Sequence, residues 1–309
     1  MAESTKSAYR SQLNAFLRFC LHFALTPVPV EQGTLKCYVA FLARSLNPSS
    51  IPGYLNVVRL LHLNAGLVNP LKDNFEIVML RRGITRKLGR PPLQKLPITI
   101  VILRKMYGVL DMSIPTDLAF WTACLIGFYG LFRKSTLLPI SSSSVSPAHL
   151  IRDDVHSLTK TSCLLRVRHT KTIQFGQRVI LMPFVSCVDE TLCPVTNLIK
   201  LLGKFVLPKH VSLFACIENG RCKILTHSVF VKKLKSLLES LGYMSKSYSG
   251  HSFRRGGCTF CFKAGLSLCV IKIRGDWKSQ AFERYLFVPA SAIYDSAVPL
   301  AEYSQPLSE

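Results

Sequence analysis

Acidic residues are scarce in this sequence. Across 309 residues, 17 Asp and Glu face 39 Lys and Arg, for a formal net charge of +22. A compact body with that charge repels itself unless a polyanion neutralises it, which makes nucleic acid the first-choice partner. An acidic membrane surface fits less well, because Lys and Arg recur along the whole chain instead of gathering in one polybasic cluster or one basic helix. A long hydrophobic run is also missing. The longest, Leu118 to Phe132, is bounded by Asp117 and Arg133-Lys134 and falls short of the roughly 20 residues a bilayer span requires. A buried core helix is expected there instead. The opening MAESTKSAYR has no apolar signal core and gives no export signal. Charged residues are only 18% against 49% hydrophobic, a balance that does not suggest disorder and supports a large core. Cysteine is not lacking, but eleven of them at irregular spacing fit a reducing intracellular compartment better than a disulfide framework.

Residues 1–89 are expected to form a small helical domain. Tyr9, Leu13, Phe16, Leu17 and Cys20 recur at helical spacing, and Leu35, Tyr38, Val39 and Leu42 share one face of a helix over about 32–46. Asn47-Pro48-Ser49-Ser50 breaks that helix and supplies serines to cap a third, with Tyr54, Leu55, Val58, Leu61 and Leu63. Asp73 or Asn74 caps a fourth, which ends in the basic run Arg81-Arg82 to Arg86-Lys87. The proline-rich stretch 90–97 cannot continue a helix and is expected to be an inter-domain linker. A second domain, 98–309, opens with helices at about 98–110 and 116–134. Strands follow at 163–169 and 177–184 around a Gln174-Phe175-Gly176 turn, and helices return near 194–206, 226–241, 251–264, 267–274 and 280–286.

The densest chemical signal is Gly250-His251-Ser252-Phe253-Arg254-Arg255-Gly256. Residues three apart lie on one helix face, so His251 and Arg254 converge while Arg255 is rotated away. Alone, the motif fits an ordinary surface helix equally well. Three further elements join it: Arg133 after the apolar run, Lys171 in His169-Thr170-Lys171-Thr172, and Tyr285 thirty-one residues beyond Arg254 in Gly275-Asp276-Trp277-Lys278-Ser279-Gln280-Ala281-Phe282-Glu283-Arg284-Tyr285. These residue types suit a phosphodiester. Negative charge grows on its non-bridging oxygens as a nucleophile attacks, and an arginine fork can pair with two of them. A phenol, with a free pKa of about 10, becomes a nucleophile where neighbouring cations favour its phenolate.

In that order, Arg133, Lys171, His251-x-x-Arg254, Trp277 and Tyr285 resemble the signature of the tyrosine recombinase (phage integrase) family. The wording GHSFRR, GDWKSQAFERYL and TKTIQFGQR is most similar to recombinases of DIRS-like, Ngaro-like and Crypton mobile elements. The resemblance covers nearly the whole chain. It implies a mainly α fold, with an N-terminal four-helix, SAM-like core-binding domain and a mainly helical catalytic domain bearing a small antiparallel β-sheet, closing as a clamp on duplex DNA. It implies Tyr285 as nucleophile, Arg133 and Arg254 as phosphate ligands, His251 as hydrogen-bond donor or proton acceptor, and Lys171 as the general acid on a mobile hairpin. It further implies site-specific recombination for mobile-element integration, with no cofactor and no metal. A synaptic homo-tetramer on DNA, contacts through the tail after Pro289 and nuclear residence complete the expectations.

The family often has an acidic residue three positions after the first arginine, where this chain has Thr136. The family's His or Trp before the nucleophile falls on Trp277 counted forward from Arg254 and on Asp276 counted back from Tyr285. An indole N–H can donate to a phosphate oxygen whereas an aspartate repels it, which favours Trp277. Lys160 competes with Lys171, Tyr294 with Tyr285, and Arg133 has a simpler reading as a cation at the end of the apolar helix. Cys258 and Cys261 form a C-x-x-C without a second such pair, so buried thiols are expected before zinc. Lys232-Lys233 with Lys235, and Arg81-Arg82, read as solvated faces that also meet DNA phosphates. Two alternatives to a recombinase stay open: a remnant that grips DNA without cutting it, and a type IB topoisomerase.

Overall fold

A computed structural model describes residues 3–90, 94–142, 148–173, 176–287, 294 and 297–299 of the chain. The chain divides into two compact units, Met1–Leu93 and Gln94–Glu309. Of the expected linker, residues 91–93 lie outside the described residues. Beyond them the chain is already tied to the second unit, through Leu96 N–H to Ser247 O (2.8 Å) and Ile98 N–H to Ser252 O (3.0 Å).

The first unit holds four helices, α1 (Glu3–His22), α2 (Gln32–Ala43), α3 (Ile51–Asn64) and α4 (Phe75–Leu88). Phe16, Phe19, Tyr38, Val39, Leu55, Val58 and Ile77 form its core. On α1 it is Phe19 that completes the inner face, while Leu17 is exposed. Asn74, not Asp73, caps α4: its Oδ1 accepts the Ile77 N–H at 3.1 Å, satisfying one of the donors a helix start leaves open.

The second unit opens with α5 (Ile100–Val109) and α6 (Pro115–Tyr129). Every residue of α6 from Leu118 to Phe128 is buried, which is why its sequence shows no polar face. Among the described residues no helix is long and apolar enough to cross a membrane. The expected continuation of this helix to residue 134 does not occur. Phe132 N–H bonds to Gly127 O and Leu131 N–H to Phe128 O, with Leu131 at φ +52°. That pairing is the left-handed termination of a helix, here with leucine in place of the usual glycine. Leu131 is fully buried beside Cys258, Trp277 and Phe282, and this burial offsets the backbone cost.

After α7 (Lys134–Leu137), the strands β1 (Val155–Leu158), β2 (Ser162–Val167) and β3 (Ile180–Val185) form an antiparallel sheet in the order β1-β2-β3. The second strand of the expected hairpin thus starts three residues later than its apolar pattern suggested. Beyond α8 (Pro194–Lys204), a second hairpin joins β4 (Ala215–Glu218) to β5 (Arg221–Ile224). It turns on Asn219-Gly220, both at positive φ; this pair is the strongest local hairpin signal a sequence offers. Then come α9 (His227–Ser240), α10 (Gly250–Lys263) and α11 (Leu268–Arg274), and the segment Gln280–Tyr285 is a 3-10 turn, not the α-helix expected. Helix α10 meets α6 at close range through Gly257, where a Cβ would lie 2.0 Å from Phe128 O, and meets the segment before α5 through Gly256, where a Cβ would lie 1.8 Å from Ile98 O.

Candidate active site

Helix α10 carries the His251–Arg254 pair, and its start is fixed locally. Ser249 Oγ accepts the His251 N–H (3.2 Å), and Ser252 Oγ accepts the Ser249 N–H (2.9 Å), a reciprocal cap. One turn on, Arg254 is 2% exposed. Its guanidinium donates to Leu131 O and, at 2.5 Å, to Gly275 O, while its Nε has no hydrogen-bond partner among the described residues. Burial, and then the charge of Arg133, lower its pKa to about 9, so it remains a cation at neutral pH. Arg255 points elsewhere and donates to Lys95 O at 3.1 Å.

Above Arg254 lies an open cleft lined by Arg133, Lys134, Ser135, Lys171, His251, Trp277 and Tyr285. Three of these are cations, none is a carboxylate, and a fourth cation lies beneath. Trp277 stacks on the Arg254 guanidinium, 3.8 Å from its carbon to the ring centroid, and Tyr285 packs against Trp277 with centroids 5.2 Å apart. The Tyr285 turn is anchored by Phe282, buried among Leu131, Cys258, Cys261 and Ile271, and by the Phe287 N–H to Thr259 Oγ1 bond on α10 (3.0 Å). His251 keeps an exposed edge. Desolvation first, and then Arg254, Arg133 and Lys134, lower its pKa below the ordinary value of 6.5, leaving a neutral imidazole at pH 7. The cleft is therefore a positive field with a phenol and a neutral imidazole at its wall.

No family model matches the chain. A curated relative from Selenomonas ruminantium, an integrase/recombinase xerD homolog, is 23% identical over 297 residues, spanning 92% of this chain and 82% of its own length. Among solved structures, the Tn1549 transposon integrase in complex with circular intermediate DNA aligns with a TM-score of 0.60 at 13% identity, over 96% of this chain and 94% of that one. A lambda integrase dimer bound to a COC′ core site aligns with a TM-score of 0.53 at 13% identity, over 92% of this chain and 89% of that one. The chain has the tyrosine recombinase fold.

In that fold the expected site residues come together with one difference of depth. Arg133, Lys171, His251, Trp277 and Tyr285 share the cleft wall. Arg254 lies under it, sealed by Trp277. Arg133 is not at the end of the apolar helix. It is the N-cap of α7, where the helix dipole disfavours a cation, so the simpler reading of this arginine fails. Lys160 sits in the turn between β1 and β2, at the opposite end of β2 from Lys171. Tyr294 is 75% exposed and does not line the cleft. Pro289 and the residues after 299 lie outside the described residues. Burial pushes the Cys258 thiol up to about 12, and it packs with Cys261 in the small core under Tyr285.

Lys171 sits in a tight turn of its own. Thr170 and Ile173 exchange backbone hydrogen bonds (3.2 and 3.3 Å), so the chain reverses at Lys171 itself. Gln174 and Phe175 of the expected turn lie outside the described residues. The end of α11 separates Trp277 from Asp276. Trp277 N–H bonds to Lys272 O and Asp276 N–H to Ile273 O, with Asp276 at φ +52°. This second left-handed termination turns the two side chains apart, Trp277 to the cleft and Asp276 away from it. Gly275 is required for that packing, since a Cβ there would lie 1.6 Å from the Trp277 ring. Sequence reasoning missed Lys134 and Ser135, which only adjoin a motif residue. It also missed the pairing of two helix ends that supply both carbonyls of Arg254.

Proposed function

We propose that this chain is a DNA strand transferase that cleaves and rejoins duplex DNA through Tyr285, as an integrase or site-specific recombinase of a mobile element. The observation that carries this reading is that Tyr285 shares one cleft of its own chain with Arg133, Lys171 and His251. A phosphodiester entering the cleft meets guanidinium and ammonium groups fixed before it arrives, and such preorganised charge stabilises the developing phosphorane. Trp277 Nε1, buried and without a partner among the described residues, is a further donor for a phosphate oxygen. Tyr285 Oη attacks phosphorus and its proton passes to His251. The P–O5′ bond breaks, and Lys171 delivers a proton to the departing 5′-oxygen. A 3′-phosphotyrosyl ester and a free 5′-hydroxyl result. The ester conserves the bond energy, so another 5′-hydroxyl can reverse the step without ATP.

In the first unit, Val78, Arg81, Arg82, Thr85 and Arg86 line a groove on α4, suited to backbone phosphates and not to reading bases. Exchange between two duplexes requires several copies of the chain, so a homo-tetramer on DNA belongs to this reading, as does residence in the nucleus of a host cell. The test is trapping on nicked duplexes tiled across the DNA flanking the gene. Covalent protein–DNA adducts are expected in EDTA and are expected to vanish in Tyr285→Phe. Salt-sensitive binding with no adduct on any duplex would overturn the reading.

A further inference from the structure

Helix α11 ends on a residue that its backbone does not favour. Asp276 occupies the left-handed position of the termination, at φ +52°, where glycine is the usual residue and asparagine the next. A carboxylate there is strained, and it is also buried, at 8% exposure. A buried charge persists only when it is paired and hydrogen-bonded. The partners of Asp276 are specific. Thr170 Oγ1 donates to its Oδ2 at 2.5 Å, Thr172 Oγ1 donates to the same oxygen, and the Arg178 guanidinium pairs with Oδ1.

These partners are the two residues that flank Lys171 and a residue just past the same turn. Thr170 Oγ1 also accepts the N–H groups of Thr172 (3.1 Å) and Ile173 (3.2 Å). One carboxylate thus holds both sides of the turn whose central residue lines the cleft. Asp276 also lies beside Arg133, Thr136 and Arg254 beneath the cleft floor, and among the described residues lining that space it is the sole carboxylate.

We propose that Asp276 is a positioning residue for the leaving-group step: it clamps the Thr170–Ile173 turn to the end of α11 and so fixes the Lys171 ammonium against the 5′-oxygen. The inference rests on the function proposed above. It explains why a strained, buried aspartate stands where glycine would serve the backbone better: the side chain joins the Lys171 turn to Trp277 and Tyr285, the next elements along the chain.

The test uses two nicked duplexes, one ordinary and one with sulfur in place of the scissile 5′-oxygen. On the ordinary duplex the bond broken is P–O5′, and the leaving oxygen takes its proton from Lys171. On the other the bond broken is P–S5′, and the sulfur departs as thiolate with no proton, because a thiol's pKa is about 8.5. Three variants are compared with the wild type, Asp276→Asn, Asp276→Gly and Lys171→Ala. Asp276→Gly relieves the backbone and so remains folded.

All three are expected to form adducts roughly a hundredfold more slowly on the ordinary duplex, the lower range for loss of a general acid, and to return to within about threefold of wild type on the sulfur duplex. If the Asp276 variants are equally slow on both duplexes, the aspartate acts on Arg254 or on folding, and the proposal falls. Wild-type rates on both overturn it as well. If Lys171→Ala is not rescued while the wild type cleaves, the assignment of Lys171 fails and this inference with it. A wild type that cleaves neither duplex overturns the proposed function itself.

Discussion

Arg254 lies beneath Trp277, its guanidinium carbon 3.8 Å from the indole centroid, so the deepest cation of the cleft is roofed by the residue that also supports Tyr285. Replacing that roof with alanine admits water to Arg254 and opens a cavity under Tyr285. Trp277→Ala is expected to lose about 3–5 kcal/mol of stability, as large-to-small changes at buried aromatics do, and to form no adduct. Trp277→Phe keeps a ring over the guanidinium but removes the indole N–H, and is expected to fold normally and cleave slowly. Urea unfolding and adduct yield, measured on the same preparations, check both.

Tyr285 and Arg133 line the same cleft of one chain, so under the function proposed above the nucleophile acts within its own subunit. Mixing Tyr285→Phe with Arg133→Ala is then expected to leave cleavage at background, because neither chain holds a complete site. Recovery of adducts in the mixture would show a nucleophile donated between subunits.

His251 and His227 both titrate below the ordinary value of 6.5, each chiefly through desolvation, with Lys134 contributing to both. A histidine with a lowered folded pKa binds protons more readily in the unfolded chain. Its stabilising contribution is complete above 6.5 and is lost as pH falls from there through the lowered value. The melting temperature is expected to hold between pH 7 and 8 and to decline below 6.5, with a shallower decline in His227→Gln. Under the proposed function cleavage uses neutral His251, so it is expected to have its acid limb below pH 6.5.

A methyl group on Gly275 would sit 1.6 Å from the Trp277 ring. Gly275→Ala is therefore expected to push the indole off Arg254, costing about 1–3 kcal/mol as overpacking usually does and abolishing adducts while DNA binding persists. Near-ultraviolet circular dichroism reports the displaced tryptophan.

The α4 groove contains Arg81, Arg82 and Arg86. If each meets one phosphate, removing all three lowers the slope of log K against log salt by about 3, close to one unit per contact. Filter binding across a salt series measures it. An unchanged slope would exclude α4 from the DNA interface.

Much of the fold was legible in the sequence, because it rests on local rules. The apolar spacing in Phe16, Tyr38 and Val58 marks helix faces, and Asn74 was one of the two caps expected for α4. Buried α6 declares itself by having no polar side at all. Errors came where chain reversals depend on packing. Helix α6 ends at Tyr129 and not near 134 because Leu131 finds a closed apolar niche between α10 and the Tyr285 turn, which no local pattern shows. The Asn219-Gly220 hairpin was visible and overlooked. The 3-10 geometry of Gln280–Tyr285 follows from the anchoring of Phe282 at one end and Phe287 at the other.

The order and identity of the chemical groups were determined by the sequence itself: a phenol, an imidazole, two guanidiniums and a lysine between threonines, with His251 and Arg254 on one helix face because they are three residues apart. Tertiary structure decided the rest. It set Arg254 under the cleft floor and the others along its wall, put Arg133 at the start of a helix, and sent Trp277 and Asp276 to opposite sides of one backbone reversal. Side-chain direction at such a reversal follows from a positive φ, and a leucine or an aspartate accepts that conformation only when distant residues compensate it. Compensation of that kind exists only in the folded chain.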